Sequence, residues 1–270
     1  MVDRGKYGPW AVIAGGSEGI GSCIAMDLAR DGIASVLVAR KPEPLEATAA
    51  EVRAATGVEV RTLALDLTAP DMLNKIRAAT DDLDVGLLIY NAGASHRTGP
   101  YLDWPLEDVL KVIRLNVEGQ AILSHHFGRR MAKRGRGGIV LMGSLAGNAG
   151  SPSVVAYSGA KAFSQLFSEG FWWEAKQHGV DVLHVIVGQT RTPAMERLGI
   201  RYPDDESVPS QAVADVALAN IANGPVVVMP QLQEGFELLC TPDRRGATEG
   251  NAGFILGNTD GTFAEPEAGA

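Results

Sequence analysis

The chain is short of cysteine, of long apolar runs and of positive charge, and each shortage narrows what it can be. Two cysteines, Cys23 and Cys240, stand in 270 residues. They are too few and too far apart for a disulfide framework, so a reduced compartment fits. No apolar run approaches the ~20 residues that span a bilayer, and the stretch from Met1 to Trp10 has no apolar signal-peptide core. The expectation is a soluble, cytoplasmic protein with no membrane partner. Lys and Arg number 24 against 32 Asp and Glu, a net charge of -8. A nucleic-acid backbone wants clustered cations, so no nucleic-acid partner is expected. His125 and His126 are adjacent and do not share a helical face. With no other ligand cluster in view, no metal is expected.

What is present is an alternation of short apolar runs with longer helical periods. Trp10–Ala14, Ser35–Ala39, Val58–Leu65, Val85–Tyr90, Ile139–Met142, Val180–Val187 and Val226–Met229 read as strands. Most lack polar alternation, as in strands buried on both faces of a parallel sheet. Val58–Leu65 does alternate, which suits a place near an edge. Helices are expected over Gly19–Arg30, Pro44–Ala55, Asp71–Ala79, Leu106–Arg134, Val155–His178 and Pro209–Ala222. Repeated strand-helix order gives an α/β fold, a doubly wound parallel sheet of about seven strands flanked by helices. The length suits one domain, taken as residues 1–250. Residues 190–210 mix proline and charge and read as a mobile substrate loop. The tail over residues 251–270, rich in Gly, Ala and acid, reads as loose.

Two local patterns carry chemistry. The first strand runs into Gly15-Gly16-Ser17-Glu18-Gly19-Ile20-Gly21 and then a helix. Glycines permit a tight turn and close approach of a pyrophosphate, and free amides at a helix start favour the anion. Taken alone the pattern also fits a plain strand-helix turn. Tyr157 and Lys161 stand four apart at the start of a helix, on one face. An ammonium there stabilises tyrosinate and lowers the phenol pKa from its usual value of about 10, which suits acid/base work. Such a pair is also common on solvated surfaces. Ser144 closes the fifth strand, where ligands gather in open parallel sheets; there it either holds a substrate oxygen or caps a turn.

Together these residues resemble the short-chain dehydrogenase/reductase family in its single-domain, Rossmann-type form, over roughly residues 8–230. The glycine loop matches, with Ala14 where the family usually has Thr. Tyr90-Asn91-Ala92-Gly93 looks like the family's Asn-Asn-Ala-Gly motif, with Tyr90 in place of the first Asn. Asn116, Ser144, Tyr157 and Lys161 match the catalytic Asn, Ser, Tyr and Lys. Val187-Gly188-Gln189-Thr190-Arg191-Thr192 resembles the Pro-Gly segment with its Thr, Val187 standing for Pro.

The resemblance implies an NAD(P)(H)-dependent oxidoreductase that interconverts a carbonyl and a secondary alcohol. Tyr157 is then the acid/base, Ser144 holds the substrate oxygen, and Lys161 tunes Tyr157 and binds the nicotinamide ribose. Asn116 supports a water between Lys161 and solvent. The cofactor contacts implied are Gly15, Ser17, Glu18, Gly19, Ile20, Gly21, Arg40, Asp66, Leu67, Asn91, Ala92, Gly93, Tyr157, Lys161, Gly188, Thr190 and Thr192. Ser144 and Tyr157, with His96 and Met195, are candidates for the substrate side, His96 being also readable as a plain loop histidine. NADP(H) is expected over NAD(H): Ala39 sits where an NAD enzyme places an acid, and Arg40 follows it. Glu18, where NADP enzymes of the family often carry a base, argues the other way. The apolar residues of the 192–202 segment, Met195, Leu198, Ile200 and Tyr202, suggest an apolar or ring-bearing small-molecule substrate. Phe171-Trp172-Trp173 is either core or part of the helix contact through which the family often forms homodimers and homotetramers. A non-catalytic dinucleotide-binding regulator and an epimerase or dehydratase of the wider superfamily are the rivals. Losing a catalytic side chain would favour the first, and a larger C-terminal domain the second.

Overall fold

The computed structural model describes residues 1–93, 95, 97–193, 195 and 207–258. Seven parallel strands form one sheet in the order β3-β2-β1-β4-β5-β6-β9. They are β1 (Trp10–Ala14), β2 (Ala34–Ala39), β3 (Val60–Ala64), β4 (Val85–Tyr90), β5 (Gly137–Met142), β6 (Val180–Ile186) and β9 (Val226–Val228). Two short strands, β7 (Thr190–Arg191) and β8 (Val208–Pro209), pair separately. Every pairing in the large sheet is parallel. All its strand C-termini therefore lie along one rim. The expected edge position of the alternating third strand is met: β3 ends the sheet and alternates in burial.

The alternation of side chains across each strand divides the core in two. Ala11 and Ile13 of β1 face one layer with Ile20, Ile24 and Leu28 of α2 (Gly19–Arg30) and Leu45 of α3 (Pro42–Thr56). Val12 and Ala14 face the other, with Ile76 of α4 (Met72–Thr80) and Leu123, Phe127 and Met131 of α6 (Gly119–Arg134). Strands buried on both sides carry no polar face, which is why β4 and β5 are buried throughout. Each fully buried Leu, Ile or Phe contributes about 1.5–3 kcal/mol.

Three elements differ from the sequence reading. The single helix expected over 106–134 is α5 (Leu106–Ile113), a π-helical turn Arg114–Glu118, and then α6. Periodicity cannot show one inserted residue in a long amphipathic run. The helix α7 (Val155–Ala175) closes in a 3-10 turn, Lys176–His178. After α8 (Ser210–Ala219) and α9 (Gln233–Leu239), α10 spans Arg244–Asn258. It runs through residues 251–258, which were expected to begin a loose tail. Its Gly, Ala and Asn content gives little helical signal, and hydrogen bonds to Asn148, Gly150 and Ser151 in the loop after β5 supply its order instead. Among the described residues no helix is long and apolar enough to cross a membrane.

Candidate active site

Strand order reverses between β1 and β4, since β2 and β3 lie on one side and β5, β6 and β9 on the other. The rim above that point is where a parallel α/β sheet opens a crevice. The glycine turn and Asn91-Ala92-Gly93 flank it. Gly15 has φ +85, and a Cβ there would lie 2.8 Å from the Ala92 nitrogen. Gly21 is tighter still, for its Cβ would stand 2.0 Å from the Gly15 carbonyl oxygen. Gly19, at φ +58, would press a Cβ to 2.9 Å from Thr192. The Asn91 amide donates to the Gly15 carbonyl at 2.9 Å, and the Thr48 hydroxyl donates to the Ser17 carbonyl at 2.8 Å. Glu18 is the N-cap residue of α2 but gives no side-chain cap hydrogen bond. The helix start, with Ile20 buried beneath it, thus has the form of an anion cradle.

The adenosine side of the crevice gathers the next group. Arg40 follows β2 and is exposed, while Leu67 is buried. Asp66 accepts from the Thr68 amide at 2.9 Å and the Thr68 hydroxyl at 2.8 Å. Burial raises its pKa, but the Thr68 bonds, with Arg40 and Lys111, outweigh this and hold it below the ordinary value. Arg40 and Asp66 are therefore electrically close. At the far side, Thr190 is buried and donates to the Gly188 carbonyl at 3.2 Å, and the Thr192 hydroxyl accepts from the Met195 amide at 3.3 Å. His96 and most of the 190–210 loop, residues 194 and 196–206 with Leu198, Ile200 and Tyr202, lie outside the described residues.

The third group stands at the ends of β4, β5 and α5. Tyr157, in the first turn of α7, is half-buried and lies beside Ser144. Ser144 also caps the turn after β5, accepting from the Ala146 amide at 3.3 Å, so the two roles open in the sequence coexist. Lys161 is 4% exposed and donates to the Met142 carbonyl at 2.7 Å. Its ammonium lies 5.4 Å from the Tyr157 ring centre. Asn116 is 1% exposed within the π turn, and its amide donates to the Val112 carbonyl at 2.9 Å. A Cβ on Gly93 would fall 2.5 Å from Asn116 Oδ1 and 3.0 Å from Lys161 Nζ. Gly93, Asn116 and Lys161 thus meet at one corner.

The electrostatics correct one expectation. The Tyr157 pKa lies above its ordinary value here, not below it. Burial raises the Tyr157 pKa, against the opposing influence of Ser144. Burial also brings Lys161 down to about 8. Desolvation disfavours the charged form of both groups. His184 of β6 lies beneath Gly143, with Nδ1 3.5 Å from Ser164 Oγ and 3.4 Å from Ser168 Oγ. Burial, with Lys161 nearby, drives its pKa to about 3, so it is neutral.

Two features went unseen in the sequence. The loop after Ser144 is clamped by α10: Arg244 donates to the Asn148 carbonyl at 2.7 Å, and Asn251 to Ser151 Oγ at 2.9 Å. The loops that follow β4 and β5 are joined by the Gly99 amide, which donates to the Ser153 carbonyl at 3.0 Å. Ser153 adopts φ +66, a costly conformation for a residue other than glycine. An arginine-lined cleft of about 320 Å³, formed by Arg4, Gly5, Gly8, Pro9 and Arg136, lies at the opposite end of the strands. No cluster of three metal-ligating side chains occurs among the described residues.

A glycine cradle at the switch point, beside a buried Lys and a Tyr-Ser pair, defines a dinucleotide-dependent enzyme class. Comparison with known proteins agrees. The family model described as short chain dehydrogenase matches residues 9–202. A 7beta-hydroxysteroid dehydrogenase of Clostridium sardiniense is 35% identical over 193 residues, 72% of this chain and 74% of that protein. A very-long-chain 3-oxoacyl-CoA reductase of Laccaria bicolor is 35% identical over 183 residues, 67% of this chain and 54% of its own length. A short-chain dehydrogenase from Sphingobium yanoikuyae, solved with NADPH, superposes with a TM-score of 0.77 at 30% identity, covering 97% of this chain and 98% of that one. A structure from a study of 7beta-hydroxysteroid dehydrogenase stereoselectivity superposes at 0.86 and 27% identity, over 93% of this chain and 99% of that one. The chain belongs to the short-chain dehydrogenase/reductase family. It is a nicotinamide-dependent oxidoreductase acting on a small-molecule carbonyl/alcohol pair.

Proposed function

We propose that the protein interconverts a bulky, ring-bearing apolar ketone and its secondary alcohol, with NADP(H) preferred, and that Tyr157 is its acid/base. The observation that carries this is the meeting of Tyr157, Ser144, Lys161 and Asn116 at the rim beside the glycine cradle. The bound nicotinamide supplies or accepts the hydride. Tyr157 donates its proton to the carbonyl oxygen in the reducing direction, and Ser144 holds that oxygen as charge develops. Lys161, which now donates to the Met142 carbonyl, has further donors for the nicotinamide ribose. A charged Lys161 beside a Tyr157 that has given up its proton stabilises the anion. Asn116 supports the corner behind Lys161, on the route by which Tyr157 is reprotonated.

Gly15, Ser17, Glu18, Gly19, Ile20 and Gly21 cradle the pyrophosphate. Asp66 and Leu67 line the adenine, and Asn91, Ala92 and Gly93 the adenosine side. Gly188, Thr190 and Thr192 close the nicotinamide end. The exposed Arg40, with the neighbouring Asp66 already engaged by Thr68, supports the NADP(H) preference.

Two observations support a large apolar substrate. Trp104, Val109 and Val112 form an apolar cluster against Ala156 and Tyr157. The relatives named above carry steroid and long-chain acyl names, and another structural neighbour is described as specific for bulky-bulky ketones. Met195 and His96 belong to the same substrate side, with residues 190–210 as its loop. Leu106, Leu110 and Ile122 on α5 and α6, and Phe163, Leu166 and Trp173 on α7, leave apolar surface exposed. This supports a homodimer or homotetramer through these helices; Trp172 packs inward and Trp173 belongs to the contact. The protein is proposed to work in the cytoplasm.

The test is absorbance of the reduced nicotinamide with a panel of polycyclic, bulky and short ketones, with each cofactor. Turnover concentrated on the ring-bearing ketones is expected. Cofactor binding with no turnover on any carbonyl would favour the regulator.

A further inference from the structure

We propose that Tyr90 is a positioning residue for Asn116, its hydroxyl holding the π-helical turn from which that side chain meets Gly93 and Lys161. The kinetic part of this inference rests on the function proposed above. Tyr90 ends β4 and leads directly into the Asn91-Ala92-Gly93 turn. It is 2% exposed and packs in the layer of Leu123 and Phe127. A phenylalanine would fill that space without the cost of burying a hydroxyl. The buried hydroxyl has one specific partner: it donates to the Leu115 carbonyl at 2.6 Å. That carbonyl belongs to the peptide plane joining Leu115 to Asn116. Fixing it fixes the direction in which Asn116 leaves the helix.

The surroundings are shaped for this bond. Asn116 lies at the centre of the π turn Arg114–Glu118, between α5 and α6. A π turn is a rare insertion, found frequently at functional sites. Gly119 opens α6 just beyond it, and a Cβ there would stand 2.4 Å from the Tyr90 hydroxyl oxygen. The phenol and the absent side chain at residue 119 are matched. One buried side chain thus ties the strand beside the cofactor cradle to the helix carrying Asn116. The consequence reaches the corner where Asn116 Oδ1 and Lys161 Nζ both close on Gly93.

The test is Tyr90→Phe, which removes one oxygen and keeps the ring. In the cofactor-free protein, amide exchange over residues 114–118 should rise about tenfold, while β4 and α7 keep their protection. In turnover of a ring-bearing ketone with NADPH, kcat should fall about tenfold, with KM and NADPH affinity within about twofold. The pH profile of kcat should move by about half a unit or more. Gly119→Ala should raise exchange over 114–118 in the wild-type background. It should add little in Tyr90→Phe, where no hydroxyl remains to clash. Unchanged exchange at 114–118 in Tyr90→Phe would overturn the proposal. So would raised exchange with kcat and its pH profile both unaltered, which is what a purely structural hydroxyl gives. A wild-type protein inert on every carbonyl would overturn the proposed function instead. The exchange results would still decide whether Tyr90 holds the turn.

Discussion

Replacing Gly21 by alanine puts a single methyl where the cofactor cradle has no room. Its carbon would stand 2.0 Å from the Gly15 carbonyl oxygen and 3.1 Å from Asn91 Nδ2, the group bonded to that same oxygen. Ordinary van der Waals contact begins at 3.4 Å, so the start of α2 and the Gly15 turn must part by about 1.4 Å, the difference between the two distances. Neither side yields cheaply. The Gly15 turn is pinned at Ala14, whose carbonyl accepts from the Ala92 amide at 2.8 Å, and Ile20, next to the methyl, is core. Overpacking of this kind costs about 1–3 kcal/mol, or roughly 2–12 °C in Tm at about 2–4 °C per kcal/mol. The displaced cradle should also lose at least one hydrogen bond to a charged phosphate, about 1.5–3 kcal/mol. NADPH affinity should therefore fall on the order of 10- to 100-fold. NADPH fluorescence titration and thermal melting read the two effects. Gly250→Ala, where a Cβ meets nothing within 4 Å, is the control and should leave affinity unchanged. A folded Gly21→Ala protein that binds NADPH within about twofold of wild type would refute the cradle.

The remaining predictions concern charge. Arg40→Ala should cut kcat/KM with NADPH by on the order of 10- to 100-fold, as for a lost hydrogen bond to a charged group, and leave NADH nearly unaffected. An unchanged preference, or a wild type that prefers NADH, counts against the reading of Arg40. Lys161→Met should abolish turnover and weaken cofactor binding, and unchanged affinity refutes a ribose contact. The same variant has a pH signature. Burial places the folded Lys161 pKa at about 8, below its ordinary 10.5. Between those values the unfolded chain holds the extra proton, so wild-type stability gains as pH rises through the window. Denaturant unfolding from pH 7 to 10.5 should show wild type gaining up to about 3 kcal/mol on Lys161→Met, at 1.36 kcal/mol per pKa unit. A difference that stays flat with pH would contradict the buried ammonium.

Much of the fold is legible in the chain because the sheet's physics is local. β1 and β4 are uninterrupted apolar runs, since both faces are covered, and β3 alternates because it is an edge. Gly19–Arg30 announces itself by its apolar spacing and the glycines before it. The grouping of Ser144, Tyr157 and Lys161 at one rim follows from strand polarity and from an i, i+4 spacing. What is less legible depends on distant partners. Nothing near residue 116 shows a π turn, because its support comes from Tyr90, 25 residues before Leu115. The order of α10 comes from Asn148 and Ser151, about a hundred residues upstream. The direction of the Tyr157 shift is a balance of burial against the neighbouring Ser144, and a sequence shows neither.

The account turns on Tyr157 as proton donor, and the most direct measurement compares wild type with Tyr157→Phe. NADPH oxidation is followed with a ring-bearing ketone, alongside NADPH affinity. The phenylalanine ring keeps the contacts with Trp104, Val109 and Val112 and removes only the hydroxyl beside Ser144. Affinity should stay within about twofold while kcat falls by on the order of 10²- to 10⁴-fold, the usual worth of a positioned general acid. A Tyr157→Phe protein that turns over the ketone at near wild-type kcat would contradict the mechanism.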